Sequence, residues 1–114
     1  MGSEKIRERA VKACIKYLEL LGREILEGEY EGFIVAKDED QIAFVDVVAG
    51  IGYFKEFCDR DAACLRDSFE KAIVDYFSEN EGEPDIQVRL DKIAISIVAD
   101  DRAVLKHFVN VCCD

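Results

Sequence analysis

The sequence predicts an α/β sandwich, a mixed central sheet flanked by helices and built as a single domain over residues 1–114. Three observations carry this. Apolar residues recur at helical spacing in two separate stretches, and the segments between and after them change to the period of strands. The order reads helix, three strands, helix, one or two strands, and a short terminal element. A hairpin-rich start followed by a helix that returns the chain to the sheet gives a sheet of mixed direction with helices against it.

The first helix is expected from Glu4 to Leu21. Ile6, Ala10, Cys14, Tyr17, Leu18 and Leu21 form its apolar stripe, and Gly22 can take the left-handed conformation that closes it. Its other face holds Lys5, Arg7, Arg9, Lys12 and Lys16 against Glu4 and Glu8, and reads as a solvated face rather than a ligand-binding patch. Ile25, Leu26 and Tyr30 then suggest a first strand ending near Gly32. Phe33 to Ala36 reads as a second strand and Lys37-Asp38-Glu39-Asp40 as a charged turn. Gln41 to Ala49 is a third strand, nearly continuously apolar, as a central strand covered on both faces should be. The carboxylate inside it, Asp46, is not predicted by that pattern.

Gly50 and Gly52 break the third strand, and Tyr53 to Cys58 is ambiguous between strand end, loop and helical turn. A second helix is expected from about Arg60 to Ser78, with Leu65, Phe69, Ala72, Ile73, Tyr76 and Phe77 on one face. Asn80 to Pro84 is a polar loop. Ile86, Val88 and Leu90 alternate with polar residues, and Ile93, Ile95 and Ile97 alternate in the opposite phase. That change predicts a bulge or tight turn at Asp91-Lys92. Asp100-Asp101 precede a short final segment, Arg102 to Cys113, containing Val104, Leu105, Phe108 and Val109. No repeat or linker is present.

Composition narrows the function. Half of the 114 residues are apolar and one is proline, which excludes disordered and collagen-like chains. Acidic residues outnumber basic ones 25 to 15, a formal charge of -10. That balance argues against a dedicated nucleic-acid binder and against docking on an anionic membrane. No stretch approaches the roughly 18 uncharged apolar residues of a membrane helix. Met1 to Lys16 is charged and carries no apolar leader core, so a cytoplasmic location is expected. The five cysteines, Cys14, Cys58, Cys64, Cys112 and Cys113, make no disulfide framework and fit a reducing compartment. Cys14 and Cys64 read as small core hydrophobes.

Other constellations are weak. His107 with Cys112 and Cys113 lacks the spacing of a structural zinc site, so a packed or capping histidine is expected. Cysteine–histidine catalysis has no activating third partner. Gly50-Ile51-Gly52 follows no phosphate-loop pattern. Tyr53, Phe54 and Phe57 read as core, with a partner-binding patch as the alternative if they are exposed.

The phrase Tyr17-Leu18-Glu19-x-x-Gly22-x-Glu24-Ile25-Leu26 is similar to the opening of the YraN-like family, small bacterial proteins of restriction-endonuclease-like fold and largely unassigned function. In that family it leads to a strand reading G-E-I-D-L-I-A, an aspartate-containing turn, and V-F-V-E-V-K. Here Glu31-Gly32-Phe33-Ile34-Val35-Ala36, Asp38 and Ala43-Phe44-Val45-Asp46-Val47-Val48 correspond. The family's R-F-D-V resembles Arg89-Leu90-Asp91-Lys92, and its closing H-I-x-N-A resembles His107-Phe108-Val109-Asn110-Val111. The resemblance covers most of the chain in the right order. It implies an endonuclease-like α/β/α sandwich.

Nucleases of that fold gather an acid on one strand and an acid-x-lysine unit on the next, the acids holding Mg²⁺ against the scissile phosphate. Alternation along a strand puts the acid and the lysine on one face. Carried over position by position, the family's helix-one glutamate falls on Val11 and its strand-two aspartate on Phe33. Its acid-x-lysine unit falls on Asp46-Val47-Val48, which keeps a carboxylate and loses the lysine. No lysine occurs between Lys37 and Lys55. Asp46 is therefore the one retained catalytic candidate. As a relic it needs acids to converge on it, with Glu31, Asp38 and Asp40 nearby in sequence. As a structural residue, the preferred reading, it needs hydrogen-bond donors, Arg89 being a candidate.

Three functions follow as expectations. The preferred one is a catalytically inactive member of the YraN-like group that acts through protein contacts with a partner or as a homodimer, with no cofactor. The second is a residual Mg²⁺-dependent nuclease centred on Asp46. The third is a nucleic-acid-binding module without catalysis, using the basic face of the first helix.

Overall fold

The computed structural model describes residues 3–51, 62–79, 86–99 and 102–111. Among them, helix α1 (Ser3–Leu20) is followed by strands β1 (Glu24–Tyr30), β2 (Phe33–Asp38) and β3 (Gln41–Ile51). Helix α2 (Ala62–Glu79), strand β4 (Gln87–Ala99) and strand β5 (Arg102–Phe108) complete the order. The five strands form one sheet in sequence order, antiparallel except for the parallel pair β3–β4. A parallel neighbour needs a crossover, and α2 supplies it. The fold is α/β with a mixed sheet, as the sequence predicts.

The helices cover opposite faces. Ala10, Cys14 and Leu18 of α1 pack on Ile34, Ala36, Ala43, Val45, Val47, Ile93, Ile95 and Ile97. Leu65, Ala72 and Tyr76 of α2 pack on Tyr30, Phe33, Val35, Ile42, Phe44 and Leu90. Odd and even positions of β3 enter different cores, which is why its run is apolar apart from Asp46.

Gly22 (φ 84°) closes α1: its N–H bonds Glu19 O, and Arg23 N–H bonds Leu18 O. This is the paired arrangement of a left-handed helix cap. It ends the helix at Leu20, so Leu21 lies outside the stripe and is exposed, a correction to the predicted apolar face.

The predicted break at Asp91-Lys92 does not exist. β4 runs unbroken for 13 residues, in continuous register with β3 from Gln41↔Gln87 to Ile51↔Ile97. The change of phase has another cause. Leu90 faces the α2 core and Ile93, Ile95 and Ile97 face the α1 core, while on the α2 side Leu90 is followed by Lys92 and the buried Ala94 and Ser96, so the large apolar residues change face within one regular strand. The charged turn is also shorter than predicted, because β2 continues to Asp38 and leaves Glu39 (φ 56°) and Asp40 to reverse the chain. The terminal segment forms edge strand β5, paired with β4 from Ala99↔Arg102 to Lys92↔Phe108. Cys14 is buried as expected, whereas Cys64 is exposed on α2, because it lies off the face that meets the sheet. Burial and the loss of solvation push the Cys14 thiol up to about 12, only partly opposed by Arg7. Tyr53, Phe54, Phe57, Cys58, Cys112, Cys113, Asp100-Asp101 and the Asn80–Pro84 loop lie outside the described residues.

Candidate functional site

The positions that the family resemblance singles out lie on β2, β3 and α1. Phe33 and Asp46 face the α2 side of the sheet, Phe33 one step beyond the Ile34↔Val45 pair. Phe33 is 4% exposed and meets Phe44 and Phe69 edge to face, with ring centroids 6.3 and 6.4 Å away. Val48 is buried and shares the strand face of Asp46 by alternation. β1 separates from β2 between Leu26 and Tyr30, and a cavity of about 530 Å³ opens there. Val11 and Phe33 both line it, together with Ile15, Ile25 and Ile34. The fold thus brings Val11 and Phe33, two of the positions singled out by the resemblance, to one cavity.

Asp46 is 2% exposed. Its neighbour in register on β4 is Lys92, so an amine stem stands on the adjacent strand, on the same face. Strands in a ladder lie about 4.8 Å apart, close enough for a carboxylate and a lysine to act together. This lysine is distant in sequence and was invisible to a search along β3. Arg89 is not a donor to Asp46. It is in register with Ala43, which faces the α1 core, so its guanidinium lies on the other side of the sheet.

The nearby acids also go elsewhere. Glu31 pairs with Lys71 of α2 at 3.3 Å. Asp38 lies on the α1 side beside Arg23 and Arg89, at 3.5 and 3.2 Å. The exposed Asp40 gives its carbonyl to Gln87 N–H. Among the described residues no three histidine, cysteine, aspartate or glutamate side chains come together as a metal-holding group. With Val11, Phe33 and Val48 at the other positions, the described residues around Asp46 do not supply the several oxygen ligands that Mg²⁺ takes.

The most connected polar cluster lies on the opposite face, around Asp91, which is 0% exposed. Arg89 grips its carboxylate side-on, Nε to Oδ1 at 3.1 Å and Nη2 to Oδ2 at 3.4 Å. His107 of β5 reaches Oδ2 through Nε2 at 2.9 Å, and the Asn110 N–H donates to Oδ1 at 2.9 Å. Arg23, placed by the α1 cap, brings Nη1 to 3.5 Å. An ionised carboxylate only accepts, so His107 donates from Nε2, and in the neutral ring Nδ1 accepts from the Tyr17 hydroxyl 3.1 Å away. Arg89 extends the cluster to Asp38 and to Gln41 Oε1 at 2.5 Å. Burial acts to raise the Asp91 pKa, but the bonds from Asn110, His107 and Arg89 outweigh it and hold the carboxyl below its ordinary value.

Arg89, Asp91, His107 and Asn110 are four of the five polar residues of the two late motifs, and the fold joins them into one clasp across β4, β5 and α1. His107 is thus the packed histidine that was expected. The signal for Asp91 was present: an acid inside a strand that otherwise buries Ile and Leu must find donors. Arg23 was not flagged, although its place directly after the helix-closing glycine fixes its direction.

The basic face of α1 is only partly solvated. Arg7 donates to Val47 O at 2.5 Å and to Gly32 O at 3.3 Å, and Arg9 reaches Ala99 O at 3.5 Å. No helix among the described residues is long and apolar enough to cross a membrane. No protein-family model matches the chain, and no curated protein matches it.

Proposed function

We propose that this chain is a nuclease-like scaffold without the nuclease: a cytoplasmic, non-catalytic protein of the YraN-like group, with the restriction-endonuclease-like form of the α/β sandwich, that works through contacts with other protein. One observation carries the reading. Val11 and Phe33, standing where the family's acids would be, line the same apolar cavity, and the Phe33 ring is locked among Phe44 and Phe69. Hydrocarbon interlocked in a core excludes the water and cation that phosphodiester chemistry requires. The chain's charge of -10 also opposes a polyanionic substrate.

The test is incubation of the purified protein with branched and linear DNA in Mg²⁺ or Mn²⁺. No cutting is expected. Cutting that disappears in Asp46→Ala would overturn the reading.

A second reading, a residual metal-dependent nuclease, is favoured by Lys92 standing beside Asp46. It replaces the lysine lost at Val48 with one from the neighbouring strand. It predicts that Lys92→Met abolishes cutting and that Mn²⁺ binds near Asp46; crystals soaked in Mn²⁺ that show no ion there would remove it.

A further inference from the structure

The sheet has two edges, and they are built differently. β1 loses its register between Leu26 and Tyr30, where Gly28 sits at φ 129°, and it exposes Glu24 and Glu27. Bulged, charged edges resist the addition of another strand. β5 keeps unbroken register with β4 from Ile97↔Ala103 to Lys92↔Phe108, so its outer side is a straight row of backbone donors and acceptors. Among the described residues no strand pairs with that side.

Alternation along β5 places Arg102, Val104, Lys106 and Phe108 on one face, a cation and an apolar side chain by turns. All four are exposed, Val104 by 37% and Phe108 by 49%. Beside Phe108 a shallow groove of about 650 Å³ continues the surface past Lys92 and Val109. From Arg102 to Cys113 the chain carries no acid, although its overall charge is -10. The pattern asks for the opposite one: acidic side chains beside Arg102 and Lys106, apolar ones beside Val104 and Phe108. A second β5 fits badly, because it would add two more cations to the same row.

We propose that β5 docks an extended acidic segment of a partner protein, added to the sheet as one more strand with acidic and apolar residues alternating. The proposal rests on the scaffold reading and names the chemistry of its partner. Main-chain bonds supply affinity in this mode of recognition, and the side-chain row supplies selection.

The test uses the isotope-labelled full chain and two synthetic peptides as long as β5, one alternating glutamate and valine, the other lysine and valine. Expected are amide shifts concentrated on Arg102–Val109 with the glutamate peptide, and affinity that falls as salt rises. Arg102→Glu with Lys106→Glu weakens binding by about tenfold or more through the reversed row of charge. Lys106→Gln gives a smaller loss and keeps the comparison available if the double variant does not fold. Equal binding of the lysine peptide, no shifts at millimolar peptide, or a dimer whose contact is β5 overturns the proposal. DNA cutting by the same samples would remove the scaffold reading and leave the peptide result standing; absence of both cutting and binding removes the docking edge alone.

Discussion

Asp46 and Asp91 are buried carboxylates one step apart on neighbouring strands. Val45 is in register with Asp91, and Asp46 with Lys92, so the two acids point to opposite faces of the sheet. Asp91 is met by two guanidiniums, an imidazole and a backbone N–H drawn from four parts of the chain. Asp46 has as its strand neighbour a lysine that is itself only half-buried. A charge sealed from water is stable where donors surround it, and around Asp91 those donors come from separate elements of the fold. The Asp91 cluster lies on the face opposite Asp46 and ties β4, β5 and α1 together.

The largest expected effect separates the two acids directly. Asp91→Asn leaves Arg23 and Arg89, both mostly buried, facing a neutral group, and should cost about 3–5 kcal/mol in urea unfolding, as breaking a buried ion pair does. Asp46→Asn should cost about 1 kcal/mol, because Lys92 has a long stem that can carry its charge toward water. Equal losses would mean that Asp46 is as deeply built into the fold as Asp91, and the contrast between the faces would go.

Acid sharpens the same contrast. The folded pKa of Asp91 lies below its ordinary value of 3.8. Between the two values the unfolded chain binds more protons than the folded one, so stability rises with pH there. The contribution is complete above the unfolded value and is lost as pH falls through the folded one. Urea midpoints followed from pH 6 downward should therefore drop more steeply in the wild type than in Asp91→Asn. Parallel curves for the wild type and Asp91→Asn would contradict the assignment.

How much of this was legible in the sequence follows from the range of the signals. Helical spacing marks both helices, and the apolar run of Ile42–Val48, interrupted by Asp46 alone, marks β3 as the strand covered twice. These are local patterns. β4 misleads because its large apolar residues change face after Leu90, where Lys92, Ala94 and Ser96 take over the α2 side. Asp91 was quoted within a motif, and so were His107 and Asn110, but nothing along the chain says that they meet. Lys92 is hidden for the same reason: its partner on β3 is set by register across the crossover of residues 52–86. Arg89 was assigned to the wrong aspartate because strand parity, and not closeness in sequence, decides which face a side chain serves.

The smallest expected effect tests whether the clasp reaches α1. Tyr17 sits on α1, and its hydroxyl is the contact that joins that helix to His107 and so to Asp91. Tyr17→Phe removes one hydroxyl and keeps the ring, which also stands edge-on to the imidazole at 5.5 Å. Loss of a single hydrogen bond of this kind costs about 1 kcal/mol. His107→Gln should cost more, because it disturbs the bond to Asp91 as well. If the three groups act as one chain, the double variant should lose less than the sum of the single losses, since removing His107 already deprives Tyr17 of its partner. Strict additivity would show that Tyr17 bonds the histidine without contributing through it, and would confine the clasp to β4 and β5.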